Sequence, residues 1–357
     1  MKIINTRSLR VVFALLIYAS TSQGFFGQSV AEKGVKFVRN NDKQKVEVYV
    51  DGKLFTIYQY SSDREKPFLF PVYAPDGTVI TRGYPIEPRI GERADHPHQF
   101  GIWFTHGNVN HLDFWGNSPA IPKDQKDAYG HIVLRKIIKA ENGPTGTLEI
   151  FADWDDNKGN QVLEEHTSYV ISGDQFSRTI DHIITLTAVN DPVTLFDTKE
   201  GLFGIRVDRA FEMPSNEKTT FIDDRGNQTT VEATGNNDVT GMYISSGGLK
   251  GDAVWGTRNE WVYLTGIKNN TTISMAIFDH PLNTGFPAYF HARGYGLFSI
   301  NNLGQNGYDS KQPKRDYTIE KGKSLTLRHR FYVQSGSELN PEKAKGIFND
   351  FTNKYLH

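Results

Sequence analysis

Polar and apolar residues alternate along most of this chain. From Lys45 to Tyr60 the stretch KVEVYVDGKLFTIYQY alternates on both sides of Asp51-Gly52, a pair suited to a two-residue turn, and so predicts a β-hairpin. The same period of two runs through TLEIFADW (147–154), SRTIDHIITLTAV (177–189), TTISMAIF (271–278) and SLTLRHRFYV (324–333). Turn-forming groups separate such segments: Pro75-Asp76-Gly77, Asn157-Lys158-Gly159, Ser172-Gly173-Asp174 and Asp224-Arg225-Gly226. A helical period is clear only near the end, where Asn340 can cap, Pro341 takes the first helical position, and Ala344, Ile347, Phe348 and Phe351 share one face. The pattern predicts an all-β chain, a large antiparallel β-sandwich with a C-terminal helix packed outside it. Two stretches, 108–130 and 214–251, read as long loops, which in a compact β-fold are functional or mobile.

The first residues break this pattern. Lys2, Arg7 and Arg10 precede an apolar run from Val11 to Ala19 and then small or polar residues to Gly24, the layout of a secretory signal peptide over residues 1–24. Residues 25–357 are then expected to form a single β-sandwich domain, periplasmic or secreted. With Cys at 0 it must hold together without disulfides and cannot be tethered through a lipidated cysteine. Lys+Arg of 40 against Asp+Glu of 41 leaves no basic field for nucleic acid, and no apolar run is long enough for a membrane span.

Chemistry concentrates in three runs. The first, ERADHPHQFGIWFTHGNVNHLDFWG (92–116), holds His96, His98, His106 and His111 with Asp95, Asp113, Asn108, Trp103 and Trp115. Pro97 steers His96 toward extended backbone, and an extended chain puts His96 and His98 on one face. Gly101 suits close approach of another backbone. These histidines fit acid–base or substrate-binding roles near neutral pH, a divalent metal held by His96, His98 and His106, or plain hydrogen bonding to loop backbone. The second run, LFDTKEGLFGIRVDR (195–209), sets Asp197, Lys199 and Glu200 in an apolar frame, either as a partly desolvated base or as acids paired with Arg206 or Arg209. The third, AIFDHPLNTGFPAYFHARGYGLFSINNLG (276–304), repeats Asp-His-Pro at 279–281 and then alternates His291, Arg293 and Tyr295, which extended backbone would turn to one side. Nucleophile elbow, phosphate loop, dinucleotide fingerprint and thiol nucleophile are all missing from the sequence.

Together, DHPHQFGIWFTHGNVNHLDFWG, FDTKEGLFGIRVDRAF and the third run resemble a bacterial family of exported proteins labelled "methane oxygenase PmoA" and also treated as a domain of unknown function. The resemblance spans about residues 65–335. At Gln99 and Phe100 that family more usually has a second histidine followed by arginine. The oxygenase label would require membrane helices, which this sequence lacks. The resemblance implies a galactose-mutarotase-like supersandwich, as in aldose epimerases and polysaccharide lyases, and a setting in carbohydrate use.

The residues then suggest a carbohydrate-active enzyme of epimerase, lyase or dehydratase type acting on a sugar or oligosaccharide. His98 and His280 would form the acid–base pair, with Glu200 as alternative base and Arg293 and Tyr295 stabilising charge. His96, His106, Asn108, Trp103, Trp115 and His291 would bind substrate. No cofactor is required, the divalent metal being the alternative. Two other readings stand beside it: a glycoside hydrolase pairing carboxylates among Asp95, Glu200 and Asp279, and a noncatalytic glycan-binding protein. The shared-site idea is spatial: His98 and His280 should lie within about 10 Å in a cleft that also holds Glu200.

Overall fold

A computed structural model describes residues 33–232 and 236–356, so the expected signal segment lies outside the described residues. Two large antiparallel sheets carry the fold, as the alternation predicts. One has nine strands in the order Val35–Asn40, Lys45–Val50, Lys53–Gln59, Phe68–Val72, Ile102–His106, Gly201–Arg206, Leu297–Asn301, Ala288–Arg293 and Arg258–Asn259. The other has eight, in the order Met242–Ser245, Trp261–Lys268, Thr271–Asp279, Ser324–Ser335, Ser177–Thr187, Gln161–Gly173, Gly146–Asp156 and Gly130–Glu141. Asp51 and Gly52 both take positive φ, and they join Lys45–Val50 to Lys53–Gln59 as the expected hairpin.

The core is built where the apolar faces of the two sheets meet. Val48, Phe55, Phe104, Phe203 and Ile300 of the first sheet join Leu148, Ile150, Ile184, Ile277 and Phe331 of the second in one buried cluster. The period of two makes this work: each strand turns alternate residues inward, and the remainder to solvent, to a second layer or, on the central strands of the first sheet, to a cleft.

Two histidines are part of that core. His182 stacks against Phe203 at 4.9 Å and Phe104 at 5.4 Å, and neither of its ring nitrogens has a hydrogen-bond partner. His329 is parallel to Phe203 at 5.6 Å and meets Asn302 Oδ1 through Nε2 at 2.7 Å. Burial lowers the His182 pKa from 6.5 to about 3, because the imidazolium would sit without water or counter-charge. A group whose folded pKa is depressed adds stability above its unfolded pKa and loses it as pH falls, so His182 weakens the fold progressively below about 6.5. His182→Phe removes two unsatisfied nitrogens and should raise stability by about 1–3 kcal/mol at pH 8. That gain should widen by up to about 1.4 kcal/mol per pH unit below 6.5. Urea midpoints at pH 8, 6 and 4 check this; a gain that stays flat with pH would refute the buried neutral imidazole.

The C-terminal helix runs Pro341–Lys354, and Asn340 caps it by accepting the Lys343 N–H at 2.8 Å. Its Ala344, Phe348 and Phe351 pack on Ile244, Trp261, Tyr263, Ala276, Phe278 and Tyr332, the outer face of the eight-stranded sheet. His280 is buried beneath this helix. Its Nδ1 accepts the Leu282 N–H at 3.2 Å, which leaves Nε2 to donate to the Thr352 carbonyl at 3.2 Å, and Phe351 meets the ring edge-on. Asp279 ends its strand and accepts N–H groups from Asn283, Asn302 and Ala288. Both residues are therefore structural ties between strand end, loop and helix.

Candidate active site

Four adjacent strands of the nine-stranded sheet present one row of residues to the core and the next row to the opposite face. Phe104 pairs with Phe203, Phe203 with Ile300, and Ile300 with Phe290, all in the core. One residue along, Trp103 pairs with Gly204, Gly204 with Ser299, and Ser299 with His291, and this row faces the other way. There an open cleft of about 850 Å³ is lined by Asp95, His96, His98, Gln99, Asp113, Trp115, Lys199, Glu200, Trp255, His291, Arg293 and Tyr295, with Arg93 and residues 217–219 at one side. All three chemistry-rich runs thus reach one place, and each of the two long loops supplies part of the wall.

The floor is an ion cluster. Asp95 Oδ1 accepts from Arg82 Nη1 at 2.7 Å and Arg206 Nη2 at 2.6 Å, and His96 Nδ1 lies 3.2 Å away. Both arginines are almost fully buried. Burial alone would raise the Asp95 pKa, but the two guanidiniums and His96 hold it far below the usual carboxylate range. Arg206 also donates to Gln99 Oε1 at 2.5 Å, so Gln99 fixes the guanidinium that holds Asp95. The backbone does not stay extended here. His96 has φ of 44° and begins a turn closed by the Gln99 N–H on the His96 carbonyl, so His96 and His98 reach the cleft from a turn rather than from one face of a strand. Their rings stand 5.7 Å apart and nearly perpendicular. Gly101 follows with φ of 61°, and a Cβ there would lie 2.3 Å from the Leu69 carbonyl, the close approach that the sequence suggested.

His98 is neutral in this setting. Burial and the charges of Lys66, His96, Arg206 and Arg82 bring its pKa down to about 2, so it offers hydrogen bonds but no ready proton. Lys66 Nζ, itself buried over the Phe100 ring, donates to the His98 carbonyl at 2.7 Å. His291 is likewise lowered to about 3, chiefly by burial, with Nδ1 3.2 Å from the Lys199 carbonyl.

Asp113, named in the first run but given no role there, also lines the cleft. Burial raises its pKa, and the negative charge of Glu200 adds to that, against the Gly116 and Trp115 N–H groups and the charge of Lys66. Gly116 is required beside it, because a Cβ would come within 2.5 Å of Asp113 Oδ2. Glu200 is half-exposed and ion-paired with Lys199. Tyr295 lies parallel to the His96 ring at 5.0 Å, and Arg293 spreads over Trp255 and Tyr295 at 5.2 and 5.7 Å. His291, Arg293 and Tyr295 do line one surface.

Other expected site residues lie elsewhere. His280 is under the C-terminal helix, so the two Asp-His-Pro segments do not share a site; only the second ends a strand. His106 has the parity of Ile102 and Phe104 and is fully buried, which brings its pKa down to about 4, and it meets the Phe196 carbonyl at 2.9 Å. Asn108 accepts the His111 N–H at 3.0 Å in a loop turn. Trp103 packs under the cleft against Trp115 at 5.2 Å without lining it. Asp197 serves structure, accepting N–H groups of Gln305, Asn306, Gly307 and Arg315 and so shaping the loop that closes one side. A metal on His96, His98 and His106 does not fit, since His106 points to the other side of its strand; among the described residues no three His, Cys, Asp or Glu side chains form a metal-binding group. Nor is any described helix long and apolar enough to cross a membrane.

Comparison with solved structures finds distant likeness. The galactosidase domain of an α-galactosidase–sucrose kinase aligns at 11% identity and TM-score 0.40, covering 84% of this chain and 42% of that one. The Slr1438 protein from Synechocystis sp. PCC 6803 aligns at 10% and 0.35, covering 86% and 97%. A putative aldose 1-epimerase from Escherichia coli K12 aligns at 8% and 0.29, covering 84% and 98%. The chain thus spans about two fifths of the length of the galactosidase structure it matches. No curated protein matches it. A family model matches residues 45–349, nearly the whole described sandwich, and by that match the chain belongs to DUF6807, a family of unknown function.

Proposed function

We propose that the cleft is the active site of an exported enzyme that moves protons on a saccharide, by epimerisation, elimination or dehydration. The observation that carries this is the meeting of two carboxyl groups in different environments, Asp113 with a raised pKa and Glu200 half-exposed, in a cleft walled by Trp115 and Trp255. Carboxyl groups in unlike surroundings divide the work of acid and base. Glu200 takes a proton from a sugar carbon. In elimination the electron pair left behind forms a double bond, and the departing oxygen takes the Asp113 proton; in epimerisation Asp113 returns a proton to the other face. Tyr295 and Arg293 stabilise the negative charge that develops between these steps. Neutral His98 and His291 hydrogen-bond sugar hydroxyls, and the indole faces cover apolar sugar edges. No metal is needed for these steps.

The presence of both Asp113 and Glu200 in one cleft favours a second reading, hydrolysis by paired carboxyls, in which Glu200 activates water or attacks the anomeric carbon. Incubation with a panel of plant and algal oligosaccharides, followed by mass spectrometry and ultraviolet absorbance, separates the two. An unsaturated or rearranged product supports the first reading, and uptake of water supports the second. A panel bound without chemical change would leave the cleft a glycan-binding site and overturn both.

A further inference from the structure

Two guanidiniums meet the Tyr295 ring. The Arg206 guanidinium lies 4.8 Å from the ring centre and that of Arg293 5.7 Å, with the His96 ring stacked alongside. Beneath, Arg82 and Arg206 share the one carboxylate of Asp95, which also faces His96. Arg82 and Arg206 thus ion-pair with one shared carboxylate. Arg293 is different: it is exposed, its contacts are the Trp255 and Tyr295 rings, and no carboxylate among the described residues forms an ion pair with it. Elsewhere in the cleft Glu200 is held by Lys199 and Arg93 by Glu212. Glu217 and Asp252 share a side recess of about 360 Å³ with Arg293 without ion-pairing to it.

A guanidinium whose contacts are aromatic rings keeps N–H groups for a ligand, and a pair of them matches two oxygens of a carboxylate or sulfate ester. We propose that the Arg293 side of the cleft is a subsite for an acidic saccharide, whose carboxylate or sulfate ester binds Arg293 beside Tyr295 and Trp255. This rests on the saccharide reading of the cleft and adds the substrate's charge to it.

Calorimetric titration with an oligogalacturonide, a sulfated galacto-oligosaccharide and an uncharged galacto-oligosaccharide of equal length tests both layers separately. At least one acidic ligand should bind about tenfold or more tighter than the neutral one, and the preference should shrink with added salt. Which acidic ligand wins identifies the oxyanion. Arg293→Ala should abolish the preference and Arg293→Lys should restore part of it; circular dichroism of both variants shows whether the fold is intact. Equal binding of neutral and acidic ligands, or a preference that survives Arg293→Ala, overturns the subsite while the saccharide reading stands. If no sugar binds, both fall.

Discussion

Asp113→Asn should lower turnover by about 10²–10⁴ while leaving saccharide affinity within a few-fold, and Glu200→Gln should do the same. The carboxamide keeps the shape and the contact with the Gly116 N–H, which Asp113 accepts at 2.8 Å, but it can neither hold nor release the proton. The pH profile separates the two roles. Asp113 is the acid of the proposed mechanism and burial raises its pKa, so the alkaline limb of the rate should belong to it and should flatten in Asp113→Asn. Glu200→Gln should leave that alkaline limb in place. Because the two groups work as a pair, the double variant should be little worse than either single one. His280→Ala is the contrasting case: losing its ties to Leu282 and Thr352 should lower the melting temperature and leave the rate per folded molecule unchanged. Steady-state rates and calorimetric affinities on the same preparations check all of this. Single variants at Asp113 and Glu200 that keep turnover within threefold of the parent would sink the assignment of acid and base.

Local pattern was enough for the sandwich. Alternation marks a strand regardless of which partner it finds, and the capped, amphipathic run after Asn340 marks a helix in the same way. The cleft was legible as far as the three runs and the residues His96, His98, Trp115, Glu200, His291, Arg293 and Tyr295. What failed was reading a motif's neighbours as its environment. The two Asp-His-Pro segments look alike over three residues, yet one is bound by Arg82 and by Arg206 of a distant strand and the other by a helix seventy-two residues on. His106 carried a usable signal, since it is two positions from Phe104 on a strand whose even-numbered residues face the core. Asp113 carried none, because its raised pKa comes from burial in a loop and from Glu200, eighty-seven positions away in sequence.

Asp95→Asn should destabilise the protein by about 3–5 kcal/mol, although Asp95 lies at the cleft floor rather than in the main core. The amide keeps nearly the same shape but strips the only carboxylate that ion-pairs with Arg82 and Arg206 among the described residues, and both guanidiniums are buried. Their remaining acceptors are neutral: the carbonyls of Arg93, His96 and Gln99 for Arg82, and Gln99 Oε1 for Arg206. Burial and Arg206 already disfavour the charge on Arg82, so with Asp95 uncharged the guanidinium is left a buried cation without its counter-ion. The pH dependence follows from the sign of the Asp95 shift. Its folded pKa is depressed, so its contribution is complete above the ordinary carboxylate value of about 3.9 and disappears as pH falls toward the folded value. Parent and Asp95→Asn should therefore differ most at neutral pH and converge in strong acid, as read from urea midpoints at unchanged slope. Arg82→Met combined with Asp95→Asn should recover part of the loss, because one buried cation leaves together with its counter-ion. A loss under about 1 kcal/mol at pH 7 would mean that water or another group carries the charge now assigned to Asp95.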